Sequence, residues 1–430
     1  MTAFPASSPA RAPASRSRRV ARWLAALATV AVPALAQAGY FQWDMVELPA
    51  SSGASCGNGT PYRFFINRTP FSHDMVIVYE GGGACWTQNA CLGIGPLSAA
   101  NPNGIPPDYM HSLKNEAAYG LVTPFSSRND PFQAAPTQSW NIVYMPYCTG
   151  DVHTGSAVRV YSDADPGNPR VEFHRGQANI RAAAAWLRAN QGRPDNLLLT
   201  GFSAGGVGST TTYALMRDAL DPKKSSQLLA DSGPLMQAPR GSSPLQSPSL
   251  PLHDTIRQAW GLDRPDGLIT SFIGLPGFDV DNLGTTSTAL AAHYPQDRFG
   301  FMLFQQDQNF SAFSYTSFFP AVSAPPPQGT EALLALWHHD IPAWMDGLAS
   351  QPNIGYHIAF FRNFNESHCL TIVDWSGTGI QEVGLETIAP FVDNILQREA
   401  PPLRNFETDH QADYTQKLSP ILRLLNFIGF

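Results

Sequence analysis

Ser203 lies in Gly201-Phe202-Ser203-Ala204-Gly205, a G-x-S-x-G pattern that follows the apolar run Asn196–Thr200 and precedes the small residues Gly206 and Gly208. A serine hydroxyl is a weak nucleophile until a neighbouring base takes its proton. A tight strand-to-helix turn between small residues lifts such a hydroxyl clear of a sheet. The same pattern occurs at Gly53-Ala54-Ser55-Cys56-Gly57, but no apolar run feeds that copy. Context therefore selects Ser203 as the nucleophile of an acyl transfer. That chemistry also needs N–H donors where oxyanion charge develops. Glu80-Gly81-Gly82-Gly83, directly after the apolar run Met75–Tyr79, is a glycine turn of the required kind, so Gly82, Gly83 and Ala204 are the expected donors. The base should follow in the order Ser, acid, His. His368, in Asn365-Glu366-Ser367-His368-Cys369 after the run Ile354–Phe361, is the expected base. Asp307, just beyond Arg298–Phe304, is preferred as the acid that orients it, and Asp231, one strand earlier in Ala230-Asp231-Ser232-Gly233, stays open. His338 and His339 fall in a helical pattern, His253 in an irregular stretch, and His153 and His174 precede the serine.

Each of these residues follows an apolar run rather than an alternating one, as expected for strands buried on both faces of a parallel sheet. Between the runs lie helical patterns: Gly176–Asn190 with Ile180, Ala184 and Leu187 on one face, Gly206–Leu220 and Thr330–Leu336. The alternation predicts an α/β fold with a mainly parallel central sheet flanked by helices. Residues 234–296 break it with a Ser- and Pro-dense stretch and a short helical piece near His253–Trp260, read as an insertion that is either a cap over the active face or plain surface loop. No linker divides the remainder, so residues 39–430 are expected to form one catalytic domain.

Residues 1–38 read differently. Five Arg and no acid precede the apolar stretch Trp23–Leu35 and then Ala36-Gln37-Ala38, which together have the form of a secretory signal peptide. Its apolar run is too short to span a bilayer, so no stable membrane insertion is expected after cleavage. Arg18-Arg19 leaves general secretory and twin-arginine export both open. Removing the segment takes the formal charge from −7 to −12, which argues against binding nucleic acid through its phosphates. A secreted or periplasmic location lets four of the five cysteines pair. Cys85 and Cys91 are close enough for a local staple, and Cys56 with Cys148 would then tie distant segments, leaving Cys369 over. No CxxC occurs and no His stands at ligand spacing, so neither a metal nor a cofactor is expected.

Several blocks together resemble the pectin acetylesterase/Notum family of α/β-hydrolase carboxylesterases. They are Cys56-Gly57-Asn58-Gly59-Thr60-Pro61, the stretch from Glu80 to Cys85 with Cys91, the stretch from Pro146 to His153, Gly201–Gly206, Ala230–Gly233, Gln306-Asp307-Gln308 and Ser367-His368-Cys369. The resemblance implies a Ser203–Asp307–His368 triad, an oxyanion hole of Gly82, Gly83 and Ala204, and disulfides Cys56–Cys148 and Cys85–Cys91. It also implies a secreted serine carboxylesterase acting on an acylated carbohydrate such as pectin or on a small ester. A lipase-like or polyester-degrading hydrolase is the alternative. Ala84 stands where plant members of the family carry Trp, which leads us to expect an acyl pocket widened at that position. Trp86, Tyr147 and the Phe-rich stretch 310–319 are further candidates for an apolar pocket wall, although core positions are the more usual place for such residues.

Overall fold

A strand that is apolar on both sides is stable only where both sheet faces are covered. The computed structural model, which describes residues 39–110, 122–130, 133–410 and 417–428, puts such strands in the middle of one sheet. In chain order the strands are β1 (Trp43–Glu47), β2 (Arg63–Asn67), β3 (Met75–Tyr79), β4 (Asn141–Met145), β5 (Ala157–Tyr161), β6 (Arg170–His174), β7 (Asn196–Phe202), β8 (Ser225–Asp231), β9 (Arg298–Phe304), β10 (Ile354–Ala359) and β11 (Arg404–Phe406). The main sheet runs β1-β2-β4-β3-β7-β8-β9-β10-β11. β1 and β2 are antiparallel additions at one edge, and every pairing from β4 to β11 is parallel. β5 and β6 form a separate hairpin. This is the α/β-hydrolase fold.

The central strands begin and end close to the apolar runs that announce them, and β3 and β9 match theirs at both ends. β1, β2, β11 and the hairpin are not announced. They are short, and the hairpin alternates exposed and covered residues, with Val158 and Val160 facing solvent. Flanking helices are α1 (Gly176–Gln191), α2 (Ala204–Thr211), α3 (Tyr213–Leu220), α4 (Leu250–Trp260), α5 (Thr286–His293), α6 (Gln308–Tyr315), α7 (Gln328–Ala349), α8 (Ala389–Gln397) and α9 (Pro420–Ile428). The single helix expected over 206–220 is divided at Thr212. Thr210, Thr211 and Thr212 turn their hydroxyls back onto the carbonyls of Gly206, Val207 and Gly208, a bonding pattern that bends helices. α7 reaches far beyond the expected 330–336 and carries Trp337 and Trp344 into the core. The stretch 234–296 contributes α4 and α5, and Trp260 of α4 is buried with its indole N–H donating to Cys85 O at 2.9 Å.

Two disulfides, Cys56–Cys148 and Cys85–Cys91, have Cα separations of 5.1 and 5.0 Å, while Cys369 is a free, buried thiol. Among the described residues no helix is long and apolar enough to cross a membrane. The basic and apolar segment 1–38 lies outside the described residues.

Candidate active site

The turn after β7 shows why its neighbours must be small. Ser203 has φ +56° and ψ −125°, a backbone that side-chain-bearing residues rarely adopt. The turn is so tight that a Cβ on Gly201 would lie 2.3 Å from Gly205 O, and one on Gly205 would lie 2.1 Å from Tyr79 O. Ser203 N–H donates to Asp231 O at 2.9 Å, anchoring the turn to the neighbouring strand. α2 begins at Ala204, so the Ala204 amide is one of the donors that a helix start leaves without an intrahelical partner.

The glycine turn after β3 stands beside it. Gly82 and Gly83 have φ of +129° and +58°, and neither amide donates to an acceptor among the described residues. A Cβ on Gly83 would sit 2.2 Å from Ser98 O, because the loop from 91 to 100 folds back onto this turn. The turn is held from below by Glu80, Tyr109, Tyr147 and His153, a role the sequence did not announce for any of them. The Glu80 carboxylate accepts from Tyr109 Oη at 2.6 Å and from Tyr147 N–H at 2.7 Å. Burial pushes the Glu80 pKa up to about 7 against the lowering effect of these donors. Glu80 O faces His153 Nε2 at 3.0 Å, and a carbonyl can only accept, so Nε2 carries the proton. Burial holds His153 down at about 4, hence neutral. A glutamate directly before a glycine run at a strand end was the available signal.

His368 Nδ1 lies 2.8 Å from Asp307 Oδ2, and both residues are buried. Asp307 caps α6, its other oxygen accepting from Phe310 N–H at 2.8 Å, which fixes the carboxylate plane. Burial opposes a charged imidazole, but the Asp307 carboxylate outweighs it, and the His368 pKa is raised. Asp231 has a different environment. It is fully buried and accepts from Leu370 N–H at 2.9 Å, and from Thr371 N–H and Thr371 Oγ1 at 2.7 Å each. Asp231 thus holds the chain just after His368 and does not touch the ring nitrogen that Asp307 engages. On its other side the loop passes through three successive left-handed residues, Asn365, Glu366 and Ser367. The buried Arg362 guanidinium donates to Cys369 O at 3.2 Å and Asp374 O at 2.8 Å, and Ser367 Oγ bonds the Arg362 backbone.

Ser203, His368, Gly82, Gly83 and Ala204 all line one cavity of about 290 Å³. Its other walls are mostly apolar, including Leu97, Val122, Val152, Phe310, Phe313 and Ile372. Phe310 and Phe313 come from the Phe-rich stretch. Trp86 instead packs against Trp260 and Phe313, and Tyr147 against His153, both outside the lining. Ala84 is also not a wall residue. It is buried, and its N–H donates to Leu97 O, so the pocket is not opened at that position. Leu97, from the loop that folds back, lines the cavity instead.

Cys85, Cys91 and His174 bring ligand-type atoms within 4.8 Å of one another. Both sulfurs are joined in the disulfide, and the two ring nitrogens of His174 face Thr149 O and Tyr161 Oη at 3.0 Å each. Such a group offers no thiolate to a cation.

A family model described as pectinacetylesterase matches residues 34–247. Pectin acetylesterase 4 of Arabidopsis thaliana is 26% identical over 198 residues, 44% of this chain and 44% of that protein. Palmitoleoyl-protein carboxylesterase Notum of Drosophila melanogaster is 23% identical over 223 residues, 50% of this chain and 30% of that protein. The matches span less than half the length of these curated relatives. The solved structure of the Wnt deacylase Notum from Drosophila superposes with a TM-score of 0.51 at 17% identity, covering 85% of this chain and 95% of that one, a likeness of fold. With blocks similar to the family's distributed from Cys56 to Cys369 on that fold, these likenesses together support the pectin acetylesterase/Notum family for this chain.

Proposed function

We propose that this protein is an exported serine carboxylesterase that works through an acyl-enzyme on Ser203. The observation that carries the reading is the convergence of Ser203, the His368–Asp307 pair and the Gly82, Gly83 and Ala204 amides on one apolar cavity. In the proposed cycle His368 Nε2 takes the Ser203 proton as Oγ attacks the ester carbonyl. Asp307 holds Nδ1–H and so fixes the tautomer. The amides receive the oxyanion, each such donor being worth about a hundredfold or more in rate. Collapse breaks the acyl–oxygen bond, and the leaving alkoxide takes the proton from His368. Water activated by the same His368 then releases the acid.

The substrate classes supported by the family are acylated carbohydrates, pectin among them, and small acyl esters. Names of the relatives span acetyl and palmitoleoyl esters. The apolar walls of the cavity favour the second reading, a lipase-like hydrolase that accepts acyl groups longer than acetyl. Export is supported by the two disulfides and by the form of residues 1–38. The test is hydrolysis of a nitrophenyl ester series from acetate to palmitate, with acetate release from acetylated pectin in parallel. Turnover that disappears in folded Ser203→Ala is expected. Undiminished turnover in that variant would overturn the acyl-enzyme, and a maximum at acetate would overturn the longer-acyl reading.

A further inference from the structure

A second, smaller recess adjoins the main cavity. The two share Val152, Phe310 and Phe313 as walls, so the Phe310 and Phe313 rings, 5.4 Å apart edge to face, separate them. Its far side belongs to the 234–296 stretch, with Leu252, His253 and Ile256 of α4 facing inward. The recess measures about 20 Å³, and one water-sized sphere needs roughly 10–15 Å³. It therefore takes one or two heavy atoms, the end of a chain rather than a separate ligand.

Its polar character is specific. His253 is 4% exposed, and its Nδ1 has no hydrogen-bond partner among the described residues. Buried polar groups without partners are rare in native proteins, and each one calls for a reason. The other polar groups lining the recess have their protons committed: Ser249 Oγ donates to Asp340 at 2.6 Å and Ser314 Oγ to Phe310 O at 2.8 Å. Burial keeps the imidazole neutral, with its pKa near 4, and the adjacent Arg257 pushes it the same way. Arg257 is itself paired with Asp263 at 2.9 Å. A neutral imidazole suits a neutral hydroxyl, whereas a carboxylate would enter an apolar recess without a counter-ion.

We propose that this recess is a distal subsite of the acyl pocket, seating the end of an acyl chain that carries a hydroxyl there, with His253 as its hydrogen-bond partner. The substrate class is then an ester of a hydroxyacyl acid. The proposal rests on the reading of the main cavity as the acyl site. Of the two rings between the cavities, Phe313 is only half-buried, and a rotamer change of that ring is the movement the proposal calls on.

The experiment compares straight-chain alkanoic acids with their ω-hydroxy counterparts, from four to twelve carbons, binding to the full protein by titration calorimetry. At one chain length the hydroxy acid should bind about fivefold more tightly, the usual worth of one net hydrogen bond. His253→Leu should erase that preference, and His253→Gln, which keeps a donor and an acceptor, should retain part of it. Equal affinities at every length, or a preference that survives in His253→Leu, would overturn the subsite and leave the recess to an ordered water. Should His253→Leu fail to fold, the wild-type comparison and His253→Gln decide the matter alone. Binding is read without turnover, and nitrophenyl acetate hydrolysis is scored on the same preparations. A hydroxyl preference without hydrolysis would therefore overturn the esterase reading and not the recess. Hydrolysis without the preference would do the reverse.

Discussion

Two aspartates at the ends of neighbouring strands carry different loads. Asp307 meets His368 Nδ1, so Asp307→Asn presents an amide that favours the wrong imidazole tautomer. A fall in kcat of about 10⁴ with an unchanged melting temperature is expected. Asp231 accepts two backbone amides and a hydroxyl from the segment after His368. Asp231→Asn turns an NH₂ toward some of those donors, and the expected outcome is a loss of about 2 kcal/mol in stability by denaturant titration. An Asp231→Asn protein of native stability would show that these bonds are dispensable. The pH profile belongs to the same scale. Burial disfavours a charged His368, but Asp307 more than offsets this and raises the ring's pKa above its ordinary 6.5. A base works only when neutral, so the acidic limb of kcat/KM should lie above pH 6.5. In Asp307→Asn the residual activity should show that limb displaced toward lower pH, as measured with a neutral ester across pH 5 to 9.

At the scale of elements, the β7–α2 turn stores strain at its central residue. Ser203 is held at φ +56° because β3, β8 and the start of α2 leave no other path. A left-handed non-glycine residue costs on the order of 1–3 kcal/mol, of which glycine's larger unfolded-state entropy gives back part. Ser203→Gly should therefore abolish ester hydrolysis and raise stability by about 1 kcal/mol. A destabilised Ser203→Gly protein would mean that the hydroxyl itself supports the turn. The His368 loop follows the same logic on a longer span. Its left-handed run at 365–367 is tolerated because Arg362, Ser367 and Asp231 fix it from separate directions.

Across the whole molecule, the two disulfides close loops of very different length. Cys56–Cys148 closes a separation of 92 residues, joining the loop after β1 to the segment that carries His153. Loop-closure entropy assigns such a link about 4–5 kcal/mol, against about 2 kcal/mol for the six-residue separation of Cys85–Cys91. The double variant Cys56→Ser/Cys148→Ser should thus lose roughly twice the stability lost by Cys85→Ser/Cys91→Ser in guanidinium titrations. The second pair lies next to the glycine turn, with Cys85 N–H donating to Gly150 O, so its removal should affect kcat more than its small loop suggests.

What the sequence determined by itself is what sterics write into consecutive residues. The G-x-S-x-G turn, the glycine run after β3 and the doubly buried strands are local patterns, because a Cβ or a polar side chain at those positions meets its own neighbours. The position of His368 was legible for a related reason, since it lies in the loop that follows the apolar strand β10. The tertiary structure alone decided the rest. Asp231 and Asp307 end adjacent parallel strands, and only the path of the loop back from β10 determines which carboxylate meets Nδ1 and which meets the backbone. Ala84 follows the Gly81–Gly83 run in sequence yet is buried in the core, while the loop from 91 to 100 folds over it and supplies Leu97 to the cavity wall. The Glu80–Tyr109–Tyr147 clamp and the recess beside His253 each join segments far apart in the chain. Contacts of that kind leave no periodicity and no spacing, since they arise only when separately encoded elements pack together.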